Sequence, residues 1–115
     1  VVCPSNPLLS IAPILALRGV REELARHPNV VAVTPIVQGA ALKGPADRLL
    51  ARLGHDVSAA GVARIYADFC DRFVVDERDA SELGKVEAAG IAALAADTVM
   101  STHDAAERLA QVILA

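Results

Sequence analysis

An α/β fold, with three layers around a mostly parallel sheet and a pair of helices inserted into the alternation, is the architecture that this sequence predicts. Three observations predict it. Short β-branched apolar runs, Val30-Val31-Ala32-Val33-Thr34 and Arg72-Phe73-Val74-Val75-Asp76, alternate with stretches of helical periodicity. The first of these runs is continuously apolar, as in a strand covered on both faces. Finally, the runs stop at Pro4, at Pro35 and at Asp97-Thr98, where backbone pairing ends and an α/β sheet opens its ligand crevice.

Taken in order, Val1-Val2-Cys3 reads as a strand halted by Pro4, followed by an exposed loop that holds Ser5, Asn6 and Ser10 between prolines. A short helix follows over Arg18–Arg26, with Val20 and Leu24 on one face, and ends before Pro28. Val30–Thr34 is the second strand, so strand, helix and strand form a βαβ unit. Right-handed crossover puts the Pro4 and Pro35 loops on one edge of the sheet, where they wall one crevice. The loop Ile36–Pro45 is longer than a connector needs. It carries Gly39, Gly44 and Lys43, a lone lysine between glycines that suits a phosphate oxygen as a point charge or, equally, sits solvated on the surface.

Pro45 suits a first helical turn, and Ala46, Leu49, Leu50 and Leu53 make one apolar stripe that ends at Gly54. Ser58 caps the next helix, with Val62, Ile65, Tyr66 and Phe69 inward and Arg64 off the stripe, facing crevice or solvent. These consecutive helices, around residues 45–70, are the insertion, and such a hairpin often packs on a partner or on a missing part of the domain. Tyr66 is expected in the core with its hydroxyl tethered. Arg72–Asp76 is the third strand. Asp79 and Glu82 form a capping box for a helix through Glu87, with Leu83 and Val86 inward. After Gly90 comes the fourth strand, Ile91–Ala96, and Ser101 with Asp104 starts a last helix that turns Leu109, Val112 and Ile113 inward.

With 115 residues the chain amounts to one domain, residues 1–115, or part of one. The first residues already read as strand and the only methionine is Met100, so an incomplete domain is expected. A hydrophobic fraction of 54% and a mean hydropathy of +0.42 suit a half-domain whose apolar faces await a partner. No apolar run approaches the ~20 residues of a membrane span, and a soluble, cytoplasmic protein is expected. A net charge of -3 with 3% aromatic residues argues against a nucleic-acid polymer and for small molecules. Cys3 and Cys70 lack CxxC spacing and read as small buried residues.

Asp76, Glu77 and Asp79 cluster after the third strand but read better as a cap and a solvated turn than as a metal site. Asp97, at a strand end, is the stronger crevice carboxylate. His27, His55 and His103 lack the spacing for metal or triad work and are expected at the surface. GxSxG, GxxxxGK[ST] and GxGxxG motifs do not occur, so hydrolase, P-loop and dinucleotide readings lack their defining chemistry.

The ordered set Cys3-Pro4-Ser5-Asn6-Pro7, Ser10-Ile11, Pro13-Ile14-Leu15, Thr34-Pro35-Ile36-Val37 with Gly39, Lys43-Gly44-Pro45, Gly61-Val62-Ala63 with Tyr66, and Ala96-Asp97-Thr98 with Met100 resembles the second half of the 2-phospho-L-lactate transferase family. The resemblance implies a Rossmann-like three-layer sandwich. It also implies a Mg²⁺-dependent transferase of deazaflavin coenzyme biosynthesis, working as a homodimer. Such an enzyme moves a phospholactyl, phosphoenolpyruvyl or phosphoglyceryl group from a guanosine-diphosphate-activated donor to the terminal hydroxyl of a deazariboflavin, releasing guanosine monophosphate. By position, Pro4, Ser5, Asn6 and Ser10 would contact the donor, Lys43 and Gly44 would neutralise phosphate, and Asp97 and Thr98 would close the crevice floor. No catalytic residue is assigned. The family's glycine-rich strand-loop and its acidic acceptor and metal residues belong to the N-terminal half, absent from this chain, so the chain alone is expected to be inactive. The alternatives are a non-catalytic nucleotide-binding module and a dimerisation module.

Overall fold

In the computed structural model, which describes residues 1–115, the chain opens on a single parallel bridge between Val2 and Ala32. The Val2 N–H donates to the Val31 carbonyl at 2.8 Å and the Val2 carbonyl accepts from Val33 at 3.1 Å, after which Pro4 ends the pairing. The expected first strand is therefore one residue pair long. The expected loop after it is largely helical: a wide π-turn over Pro7–Ile11 runs into α1, Ala12–Leu15. Pro7 opens this segment where a missing N–H costs nothing, and the Asn6 side chain accepts from the Leu8 and Leu9 amides at 2.9 and 3.0 Å. A widened turn also spares Pro13, whose ring in a regular α-helix presses on the carbonyl four residues back.

Next come α2 (Val20–Arg26) and β1 (Val31–Val33). A short antiparallel hairpin follows, made of β2 (Ile36–Val37) and β3 (Ala40–Ala41), inside the stretch expected to be loop. The helical pair is α3 (Ala46–Arg52) and α4 (Ala59–Ile65). β4 (Arg72–Asp76) leads through a 3₁₀ helix (Glu77–Glu82) into α5 (Leu83–Ala88), then β5 (Ala92–Ala96) and α6 (His103–Leu114). None of these helices is long and apolar enough to cross a membrane.

The sheet is parallel, in the order β1-β4-β5, with Val2 bridged to the outer side of β1. Alternation along the strands divides the core. Ala32, Phe73 and Val75 face the larger cluster with Val62, Tyr66, Phe69 and Val86, whereas Val31, Val33 and Val74 face Leu109 on α6. Val30–Thr34 reads in the sequence as a strand covered on both faces, and all five residues are buried. The helical pair lies in the crossover from β1 to β4, and Ala59, Ala60, Val62 and Ala63 of α4 are buried in this chain's own core. Gly61 sits so close to the Asp56 carbonyl that a Cβ there would lie 1.9 Å from its oxygen.

Several local expectations change. Leu53 is 63% exposed, because the chain leaves α3 at its C-cap and turns through Gly54 at φ 80°. Cys3 is exposed, since the strand that would have buried it stops at Val2, whereas Cys70 is buried and its thiol is pushed up to about 11 by that burial. The cap after β4 is Asp76, which accepts from the Arg78 amide at 3.0 Å; Asp79 has non-helical backbone and bonds elsewhere. The last helix is capped by Thr102, which accepts from the Ala105 amide at 3.1 Å, one residue beyond Ser101. Arg64 pairs with Asp56 at 2.6 Å on the surface, and all three histidines are exposed.

Tyr66 is in the core, 1% exposed, but the expected tether is missing: its hydroxyl is buried with no hydrogen-bond partner. Burial raises its pKa. A lone buried hydroxyl carries an unreturned desolvation cost, so Tyr66→Phe is expected to stabilise the protein by up to about 1 kcal/mol, read as a higher melting temperature.

Candidate functional site

A cavity of about 840 Å³ opens where the proline-stopped segments converge. Pro4, Ser5, Asn6, Leu9 and Ser10 form one side, Thr34 and Pro35 at the end of β1 form the back, and Ala41 to Ala46 form the opposite side. The segment Thr98–Ser101, between β5 and α6, completes it. Ligand space at the carboxyl ends of parallel strands is the rule for such sheets, and the β1 and β5 exits both open here. The only charged residue on the lining is Lys43.

Seven of the residues singled out in the sequence, Pro4, Ser5, Asn6, Ser10, Lys43, Gly44 and Thr98, come together on this lining. Asp97 does not line the cavity. Its Oδ1 accepts from the Val99 amide at 3.1 Å and from Arg78 Nη1 at 3.4 Å, a local turn that aims the carboxylate at Arg78. Val99, Met100, Ser101 and Leu42 also line the cavity, beyond what the sequence indicates, since small apolar and hydroxyl side chains in loops carry no spacing signal.

Each wall has a local cause. Thr34 Oγ1 donates to the Ile36 carbonyl at 2.8 Å and accepts from the Ile36 amide at 3.1 Å, closing the bend around Pro35. Asn6 spends its Oδ1 on the helix start, and its Nδ2 is buried without a partner. Asp47, at the start of α3, accepts from the Arg48 amide at 2.8 Å and the Ala41 amide at 3.3 Å, and these N–H donors lower its pKa.

The most enclosed polar group is Asp76, 0% exposed at the end of β4. It accepts from the Thr98 amide at 3.0 Å, from Thr98 Oγ1 at 2.7 Å, and from the amide and the guanidinium of Arg78, each at 3.0 Å. Burial pushes its pKa up, but the hydrogen bonds outweigh burial and leave it below the ordinary aspartate value. Thr98 is thereby fixed: its hydroxyl hydrogen is committed to Asp76, so on the cavity side Oγ1 can only accept. No three His, Cys, Asp or Glu side chains converge as a metal-holding group, and the lining carries no carboxylate.

A family profile described as 2-phospho-L-lactate transferase CofD matches residues 1–114. The chain is similar to the 2-phospho-L-lactate transferase of Methanosarcina mazei, 44% identical over 111 residues, which cover 96% of this chain and 36% of that protein. It is similar to the 2-phospho-L-lactate transferase of Halobacterium salinarum, 45% identical over 111 residues, 96% of this chain and 31% of that protein. It is also similar to the phosphoenolpyruvate transferase of Kitasatospora aureofaciens, 42% identical over 114 residues, 97% of this chain and 36% of that protein. The chain spans about a third of the length of these relatives.

Proposed function

This chain belongs to the 2-phospho-L-lactate transferase CofD family, and from that premise we propose that it is the C-terminal part of a transferase of deazaflavin coenzyme biosynthesis. The whole enzyme moves a phospholactyl-type group from a guanosine-diphosphate-activated donor to the terminal hydroxyl of a deazariboflavin and releases guanosine monophosphate. The names of its relatives include phospholactate and phosphoenolpyruvate transferases, which supports a lactyl or an enolpyruvyl acid, and the family resemblance adds glyceryl as the third version. The observation that carries this reading is the cavity, which gathers hydroxyls and prolines around one cation, Lys43, with no opposing carboxylate.

In that cavity Lys43 neutralises a phosphate of the donor as a mobile point charge, with the Gly44 backbone beside it. Ser5, Ser10 and Asn6 orient the donor from the facing side, and Thr98 accepts a hydrogen bond from a ligand hydroxyl. Displacement at phosphorus rests on positioning and charge neutralisation, which suits a lining without a nucleophile–base pair. Magnesium, implied by the family, does not fit the donors of this chain: Asp76 is saturated by Thr98 and Arg78, and Asp97 is turned toward Arg78. The ion's ligands therefore belong to the part of the enzyme outside these residues, and no step here runs through it. The enzyme works in the cytoplasm as a homodimer.

The test is guanosine monophosphate release by the full-length protein supplied with the activated donor and deazariboflavin. Lys43→Met is expected to raise the donor KM by about tenfold while the melting temperature holds. The 115-residue chain alone is expected to give no turnover. Nucleotide binding by the full-length protein without any transfer would instead identify a binding module.

A further inference from the structure

Asp76 caps the 3₁₀ segment after β4, Asp79 stands at the kink within it, where the backbone leaves the helical region, and Glu82 ends it. Each carboxylate captures the backbone of a different segment. Asp76 takes the Thr98 amide at 3.0 Å, Asp79 takes the Gln38 amide at 2.7 Å, and Glu82 takes the Ala60 amide at 3.4 Å. Asp76 thus ties down one cavity wall, and Asp79 ties down the hairpin that leads into the other.

That hairpin cannot hold itself. Its strands are two residues each, pairing Ile36 with Ala41 and Val37 with Ala40, far below what stands alone in water. Its two-residue turn puts Gln38 at φ 51° and Gly39 at φ 76°, the mirror-image turn that favours Asn-Gly. Gln38 is the only residue other than glycine with positive φ in the chain, so the turn is strained there. The charge-assisted bond from the Gln38 N–H to Asp79 spans 41 positions and holds that strained residue against the segment that follows β4. Two residues past the hairpin stands Lys43.

We propose that Asp79 is a positioning residue of the transferase cavity: by anchoring the Gln38 turn it sets where Lys43 and the Leu42–Pro45 wall stand relative to Thr98. It touches no substrate and acts through the hairpin. The proposal rests on the transferase reading for its ligand, and on the hairpin geometry alone for its mechanics.

The experiment uses the full-length protein with Asp79→Ala, Asp79→Asn and Glu82→Gln. Asp79→Ala is expected to speed amide exchange at Ala40–Gly44 without a general rise elsewhere. The same variant should raise the donor KM about tenfold with kcat within about twofold, as loss of binding common to ground and transition states requires. Asp79→Asn keeps an oxygen for the Gln38 amide and should recover most of the donor KM. Glu82→Gln, whose carboxylate serves α4 instead of the cavity, should leave both readouts unchanged. Unchanged exchange at Ala40–Gly44 in Asp79→Ala overturns the proposal, as does faster exchange there with an unmoved donor KM. So does an equal KM effect from Glu82→Gln. If the wild-type protein lacks turnover, the transferase reading fails by itself; exchange still tests the hairpin, and affinity for guanosine diphosphate replaces KM.

Discussion

Gly61→Ala is expected to cost about 3 kcal/mol or more, a fall in melting temperature of about 15 °C. The added Cβ would stand 1.9 Å from the Asp56 carbonyl oxygen and 2.8 Å from its carbon. Both are backbone atoms, so no rotamer change relieves the clash; either α4 or the segment before Ser58 must shift. Shifting α4 moves Val62 and Tyr66, both essentially unexposed, and breaks the Ser58 cap, whose Oγ accepts from the Gly61 amide at 3.0 Å. Gly84→Ala provides the contrast. Gly84 lies in α5 without positive φ, and a methyl group there would meet nothing within 4 Å, so the same change should stabilise by about 0.5–1 kcal/mol. Thermal unfolding of the two variants should therefore move in opposite directions.

A second large effect is expected at Asp76. Asp76→Asn replaces one acceptor oxygen by an NH₂ group facing donors from Thr98 or Arg78, and should cost about 3 kcal/mol at neutral pH. The sign of the pH dependence follows from the lowered pKa of the folded state. A carboxylate more acidic in the fold than in the unfolded chain stabilises the fold fully above the unfolded value, about 3.9, and this is lost as pH falls through the folded value. The wild-type melting temperature should therefore drop toward that of Asp76→Asn below about pH 3.9, while the two remain well separated at pH 7. Melting curves from pH 7 down to 2 read this directly. A gap that stays constant across the range would remove the charge of Asp76 from the account.

Much of the fold is legible in the sequence because its strongest signals are local and periodic. Arg72–Asp76 is a strand over the residues expected, and Ser58 and Gly54 bound helices where their chemistry put them. Two of the misreadings share a source, a residue with two possible local roles. Pro7 can stiffen a loop or open a helix, and with Asn6 before it the helix wins. Asp79 has the spacing of a capping box, but Asp76 is nearer the strand end, and Asp79 is left free to bond 41 positions away. The hairpin inside Ile36–Pro45 lacks the Asn-Gly that would announce it, because a distant carboxylate stands in for turn propensity.

The cavity is legible in outline through its proline-stopped strands and its lone lysine, since both are statements about strand ends and charge. Asp97 is indicated on the same ground, but a strand-end carboxylate has two directions available, and the Val99 amide with Arg78 decides for the one away from the cavity. The apolar lining at Leu42, Val99 and Met100 comes from loops whose course only the tertiary structure fixes.

The sheet face formed by Val31, Val33 and Val74 is closed by α6, with Leu109 buried against it and Ile113 packed beside it. β1 and β4 leave the ribosome well before His103–Leu114, so during synthesis this face stays wet and adhesive until the last helix emerges. A ribosome paused on codons just downstream of β5 would present chaperones with a paired sheet bare on one side. Synonymous changes that slow translation there should increase aggregation without altering a single contact of the finished protein.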